Sequence, residues 1–273
     1  MIAACGFAPG ATNGKRLYVM NDTWRTTLLE RHRWMTFLLP FLVFMLVGAL
    51  EPAPEELGGG AIGLAIPYSY YPWLYAAKIA LTTAAVVFVL PGYREFPLKL
   101  SPTAIVVGVV GGPLWIGLCL LDWERLYIFP FLNNIGAGWI IGAGERSAFD
   151  PFEHITGHPT LAWAFLAVRF FGLVAVVPLI EEFFLRGFLM RFVMERDWWE
   201  APFGKAGTFA VVLGTAVPMM THPGELLAAA VWFSMITWLM LRTRNIWDCV
   251  AAHALTNLIM GIYVVATGMW RLM

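Results

Sequence analysis

Charge is what this sequence is shortest of. Only 13% of its 273 residues are Asp, Glu, Lys or Arg, and 59% are hydrophobic, whereas soluble domains are about 25% charged. A soluble globular fold is excluded on that ground. The charges also cancel to a net of zero, so no basic surplus points to nucleic acid. Cysteine is scarce: Cys5, Cys119 and Cys249 are the only three. None falls in a CxxC pair, and two sit in apolar runs, so neither a disulfide framework nor a cysteine metal site is expected. No HExxH zinc signature, internal repeat or low-complexity tract occurs. The first long apolar run starts only after residue 33, with no small-residue cleavage site behind it, so a cleaved signal peptide is not expected.

What is present is apolar sequence in long runs, with a mean hydropathy of +0.70. This predicts an all-α, polytopic transmembrane helical bundle of seven or eight spans. Residues 1–33 carry Lys15, Arg16, Arg25, Arg31 and Arg33 and read as a cytoplasmic tail, with Met20 a second candidate start. Spans are expected at Trp34–Leu50, Trp73–Leu90 (stopped by Pro91-Gly92), Thr103–Leu121, Leu161–Met194, Ala206–Met220, Leu226–Leu241 and Ile246–Thr267. Pro52, Pro54 and Gly58–Gly60 separate the first two, followed by an aromatic turn around Tyr68, Tyr70 and Tyr71. Ile128–Ile141 is apolar enough for an interfacial or eighth helix. The chain therefore divides into the tail 1–33, spans and a loop over 34–160, and a motif-bearing membrane core over 161–273.

Lysine and arginine set the orientation. With seven spans and the amino terminus inside, twelve of these residues, from Lys15 to Arg244, fall in inner segments. Only Arg125, Arg146 and Arg271 fall outside. That distribution predicts an integral protein of a bacterial inner membrane with its amino terminus cytoplasmic.

Within the spans a few polar side chains stand out. Glu181-Glu182-Phe183-Phe184-Leu185-Arg186 lies in an apolar run with Pro178, an expected kink, just before it. An ionised side chain at mid-bilayer costs about 2.5–3.5 kcal/mol even on insertion scales, so such a cluster is read first as a functional site. On a helix Glu182 and Arg186 are four apart and can pair. Glu181 points about 100° away, as a general base would need to. His253 and Asn257 are also four apart on one helical face. Both can donate hydrogen bonds without carrying charge, which suits an oxyanion hole. His222 ends another span. Together Glu181, His222, His253 and Asn257 make a parts list for acid–base hydrolysis through an activated water.

The blander alternatives are structural. An EExxxR pattern ornaments many surface helices, and His253 and Asn257 could be interhelical glue worth about 0.6–2 kcal/mol each. His222 could cap carbonyls, and Glu225 could be the first-turn acid of the next helix. Lys78 and Arg169 are assigned to snorkelling or structural pairing. Asp248 is read as a helix-start residue or supporting partner, and the aromatic residues as interface belt and core.

The set Glu181-Glu182-xxx-Arg186, a histidine after a span, and His253-xxx-Asn257 resembles the CPBP family of intramembrane glutamic proteases, which includes the Ras-converting CAAX prenyl proteases. The likeness covers roughly residues 161–267, with the motifs in the family's order. It implies a metal-independent, cofactor-free intramembrane endopeptidase acting on a membrane-associated protein or peptide. By this likeness Glu181 activates water with His222 assisting, His253 and Asn257 form the oxyanion hole, and Glu182 with Arg186 holds the site in shape. Pro218 stands where the family usually has phenylalanine, four residues before His222. The stretch around His222–Glu225 and the end from Asn257 to Trp270 look most like a bacterial branch associated with exosortase protein-sorting systems, which implies a sorting-signal-bearing rather than a prenylated substrate. Three rivals stay open: a zinc peptidase using Glu181, His222 and His253, a transporter or proton-coupled carrier, and a non-catalytic membrane scaffold.

Overall fold

The computed structural model describes residues 16–54, 64, 66–137 and 148–273, with side chains from residue 24 onward. Cys5, Lys15, Gly58–Gly60, Arg146 and the last residues of the Ile128–Ile141 stretch lie outside the described residues.

Among the described residues all the regular secondary structure is helical. Within the expected tail, α1 (Arg16–Arg31) is a helix. It is followed by α2 (Trp34–Gly48), α3 (Tyr71–Tyr93) and α4 (Pro102–Leu120). Short helices α5 (Phe129–Asn134) and α6 (Pro151–His154) come next. The motif-bearing helix α7 (Pro159–Phe192) is the longest. The bundle closes with α8 (Thr208–Thr221), α9 (Leu226–Thr243) and α10 (Ile246–Thr267). Among the described residues, five helices are long and apolar enough to cross a membrane, and α2 and α8 are shorter apolar helices. The protein is an all-α polytopic integral membrane protein.

Local chemistry sets most boundaries. Ser101 caps α4 by accepting from the Ala104 amide, with Pro102 at the first helical position. Asn245 caps α10 through the Trp247 amide, and Gly268 ends it at φ 71°. Two expectations shift. Pro91-Gly92 does not stop α3: Pro91 lies inside its last turn, and the helix runs on to Tyr93. The apolar stretch after residue 128 yields only the six-residue α5, too short for a separate span.

Glycines let the bundle close around the motif. A Cβ at Gly108 would lie 2.9 Å from the Ala252 carbonyl oxygen, and one at Gly112 would lie 2.6 Å from Ile259. These two residues, four apart, let α4 lie directly against α10. Gly187 does the same for α2, since a Cβ there would meet Phe37 at 2.7 Å. Buried ties hold the remaining corners. Lys78 pairs with Glu51 at 2.7 Å, and Arg169 donates to the carbonyls of Phe149 (2.8 Å) and Met273 (2.7 Å). Both cations are thus engaged in structural pairing rather than reaching for an interface. Asp248, 1% exposed in the first turn of α10, accepts from the Ser101 amide at 2.8 Å and ties α10 to the start of α4.

Candidate active site

The acidic motif sits where α7 departs from regular geometry. Two π-helical turns interrupt it, Gly172–Val176 before Pro178 and Phe183–Leu189 over Arg186. Such turns place an extra residue in the helix and re-aim the side chains that follow. Pro178 gives the first a local cause. It has no N–H to offer the carbonyl one wider turn back, and in the π register that carbonyl is Leu173 O. The Asn257 amide of α10 donates to Leu173 O at 2.9 Å and satisfies it.

Glu182 is the hub. Fully buried, its carboxylate lies 2.9 Å from Arg186 Nη1, also fully buried, one helical turn away. The N–H there does not line up as a hydrogen bond, so the attraction is mainly coulombic, which is strong in a low-dielectric interior. The other Glu182 oxygen meets His253 Nδ1 at 2.9 Å. Arg186 also donates to the Phe233 carbonyl at 3.3 Å and lies over that ring at 5.6 Å. With Glu182 held as a carboxylate by Arg186, His253 Nδ1 is the donor in that bond. This turns His253 Nε2 the other way, 3.9 Å from Glu181 Oε2. The gap is too long for a direct hydrogen bond, and an oxygen about 2.8 Å from each atom, to one side of the line joining them, would bridge the two groups.

An aromatic wall completes the site. Trp232 on α9 stands edge-on to the His253 ring at 4.6 Å. Its Nε1–H donates to Thr256 Oγ1 at 3.1 Å, and Thr256 donates to Gly108 O at 3.2 Å. Phe233 packs against both imidazoles, 6.3 Å from His253 and 5.7 Å from His222. His222 follows α8, its Nδ1 2.8 Å from the Pro218 carbonyl, with Trp115 5.6 Å away on its ring.

The structure thus brings Glu181, Glu182, Arg186 and His253 into one cluster, places Asn257 on the same helix one turn further, and sets His222 across the Phe233 ring. Trp232, Phe233 and Thr256 were missed as site residues because, on sequence, aromatics in an apolar span look like core or belt. Their spacing carries no signal until α9 is laid against α10.

Depth follows from helix rise. Counted from the helix ends next to Arg191, Arg242 and Arg244, Glu181 lies eleven residues in and His253 seven, or about 16 and 10 Å. The fourteen residues of α8 put His222 about 21 Å from the same face. All three depths are less than the roughly 30 Å of a bilayer's hydrocarbon core. The cluster sets a carboxylate and an imidazole 3.9 Å apart beside an aromatic wall.

No curated protein matches the chain, and no solved structure matches it. The family model described as type II CAAX prenyl endopeptidase Rce1-like matches residues 162–259, from the first turns of α7 to two residues past Asn257. The membrane segment that carries this site is therefore similar to the Rce1-like type II CAAX prenyl endopeptidases, a family of proteases.

Proposed function

We propose that this protein is an intramembrane endopeptidase in which Glu181 activates a water held against His253, hydrolysing a peptide bond of a membrane-associated protein. The observation that carries the reading is the 3.9 Å opening between Glu181 Oε2 and His253 Nε2, backed by the buried Glu182–Arg186 pair.

In the proposed sequence the water oxygen attacks the scissile carbonyl carbon while its proton passes to Glu181. The carbonyl π electrons move to its oxygen, where the second N–H of Asn257 opposes the developing charge, while His253, its Nδ1–H held by Glu182, orients the attacking water by accepting at Nε2. Glu181 then returns its proton to the leaving nitrogen, the C–N bond breaks, and acid and amine products separate with no covalent intermediate. His222, across Phe233, assists in holding the water or the carbonyl. Lys and Arg asymmetry between loops supports an inner-membrane protein with its amino terminus cytoplasmic. The substrate class is a membrane-associated protein, lipid-modified or bearing a sorting signal.

The test uses the full chain reconstituted in liposomes with two probes, a farnesylated carboxyl-terminal CAAX peptide and an unprenylated single-span peptide, with products read by mass spectrometry. Wild type should cut at least one probe and Glu181→Gln neither, with the variant's unfolding unchanged. Cleavage by Glu181→Gln at the wild-type rate overturns the role of Glu181. Glu181-dependent solute flux without cleavage of either probe would favour a carrier built on the same cluster.

A further inference from the structure

His222 is carried by the turn between α8 and α9, and what holds that turn comes from a part of the chain outside the family match. Helix α9 begins at Leu226, and Glu225 at its cap position does not bond the first turn through its own side chain. The first amides of any helix lack intrahelical partners and must be satisfied from outside the helix. Here the Leu227 amide donates to Glu124 Oε1 at 2.7 Å, across 103 residues. Glu124 is 3% exposed and opens a π-helical turn, Glu124–Ile128, packed against Pro223–Glu225. Its carboxylate lies at the positive end of an 18-residue helix, where an anion is favoured. Two residues before it, Asp122 pairs with Arg271 at 2.7 Å, so the segment is braced from behind.

We propose that Glu124 is a positioning residue for His222. By fixing the first turn of α9 it sets the Pro223-Gly224 connection, and so the angle at which the His222 imidazole meets Phe233 and Trp115. Within the turn, His222 Nδ1 contacts the Pro218 carbonyl and the Glu225 amide donates to the His222 carbonyl (3.0 Å). Glu124 adds a tie from the segment after α4 to the first turn of α9. The inference rests on the peptidase reading for its kinetic consequence but not for its structural one.

The experiment separates the two. The full chain, labelled with ¹³C and ¹⁵N on its five histidines, is reconstituted in nanodiscs, and the His222 ring signal is assigned by its loss in His222→Gln. The Trp115 and Phe233 rings shift that signal, so it reports the imidazole's placement. Glu124→Ala should move or broaden the His222 signal while leaving His253 in place, and Glu124→Gln, which keeps an acceptor oxygen, should restore it. Glu124→Asp keeps the charge but falls short of the Leu227 amide, so it should behave like the alanine variant; it carries the test if Glu124→Ala does not fold. On a cleavable probe, Glu124→Ala should lower kcat by about 10²-fold with KM little changed, as a misplacement near 1 Å does. An unmoved His222 signal in both Glu124→Ala and Glu124→Asp overturns the proposal, as does a uniform shift of all five histidines. If wild type cuts neither probe, the peptidase reading falls, and the histidine spectra still decide the role of Glu124.

Discussion

Removing the Arg186 guanidinium is the sharpest test of how this membrane interior tolerates two adjacent carboxylates. Arg186 and Glu182 are both 0% exposed and 2.9 Å apart, so Arg186→Ala leaves an anion buried with only His253 to oppose it. Breaking one side of a buried ion pair costs about 3–5 kcal/mol, most of it the penalty of the stranded charge. Loss of the ring contact with Phe233 adds about 0.5–1 kcal/mol. Unfolding the purified full chain in mixed detergent and SDS, followed by tryptophan fluorescence, should show a loss of at least 3 kcal/mol. The double variant Glu182→Gln/Arg186→Met removes both charges and fills the volume, so it should recover most of that loss. If Arg186→Ala unfolds like wild type, or if the double variant is as unstable as the single, the charge-bracing account of Glu182 is wrong.

Four further outcomes follow from the same contacts. His253→Ala should cost about 1–3 kcal/mol in the same unfolding assay, because His253 is 4% exposed and its loss removes a hydrogen bond to buried Glu182. Trp232→Phe keeps the aromatic bulk but deletes the Nε1–H···Thr256 bond, so it should cost about 0.5–1.5 kcal/mol and shift the His253 ring signal. Gly112→Val should destabilise by about 1–3 kcal/mol or more, since a single Cβ there already meets Ile259 at 2.6 Å. Peptide cleavage should persist in excess EDTA; loss with EDTA and return with zinc would instead favour the zinc peptidase.

The architecture was legible because the bilayer imposes one dominant length and composition on its helices. Ile246–Thr267 coincides with its expected span, and most other boundaries move by only a few residues. The Glu182–Arg186 pair was readable from helical spacing, and so was the shared face of His253 and Asn257. What could not be read was which helix each polar face meets. Nothing in the spacing says that His253 bonds Glu182 rather than only facing Glu181. The same holds for Glu124: its partner lies 103 residues away and is a backbone amide, which has no residue type to recognise. Pro91 misled because its effect falls on the turn before it, where the Val87 carbonyl loses its N–H partner, and the chain still continues in helical geometry for two residues, to Tyr93.

Asn257 connects the π turn before Pro178 in α7 to the His253–Asn257 spacing on α10. Pro178 and the π turn before it expose the Leu173 carbonyl inside the bilayer, a group that must find a donor. Asn257 supplies it at 2.9 Å, and one turn earlier on the same helix His253 meets Glu182 at 2.9 Å. The helices run antiparallel, so the two bonds pin α10 to α7 at two heights and fix its register and rotation. A four-residue spacing on α10 is thereby matched to a nine-residue spacing on α7. Asn257→Asp should break this match, because a carboxylate set against the Leu173 carbonyl repels it where the amide donated. Its effect should reach His253, seen as a displaced ring signal, even though the His253–Glu182 pair is chemically untouched. A His253 signal unmoved in Asn257→Asp would show that Glu182 alone orients the imidazole and that the Asn257 bond serves only the π turn.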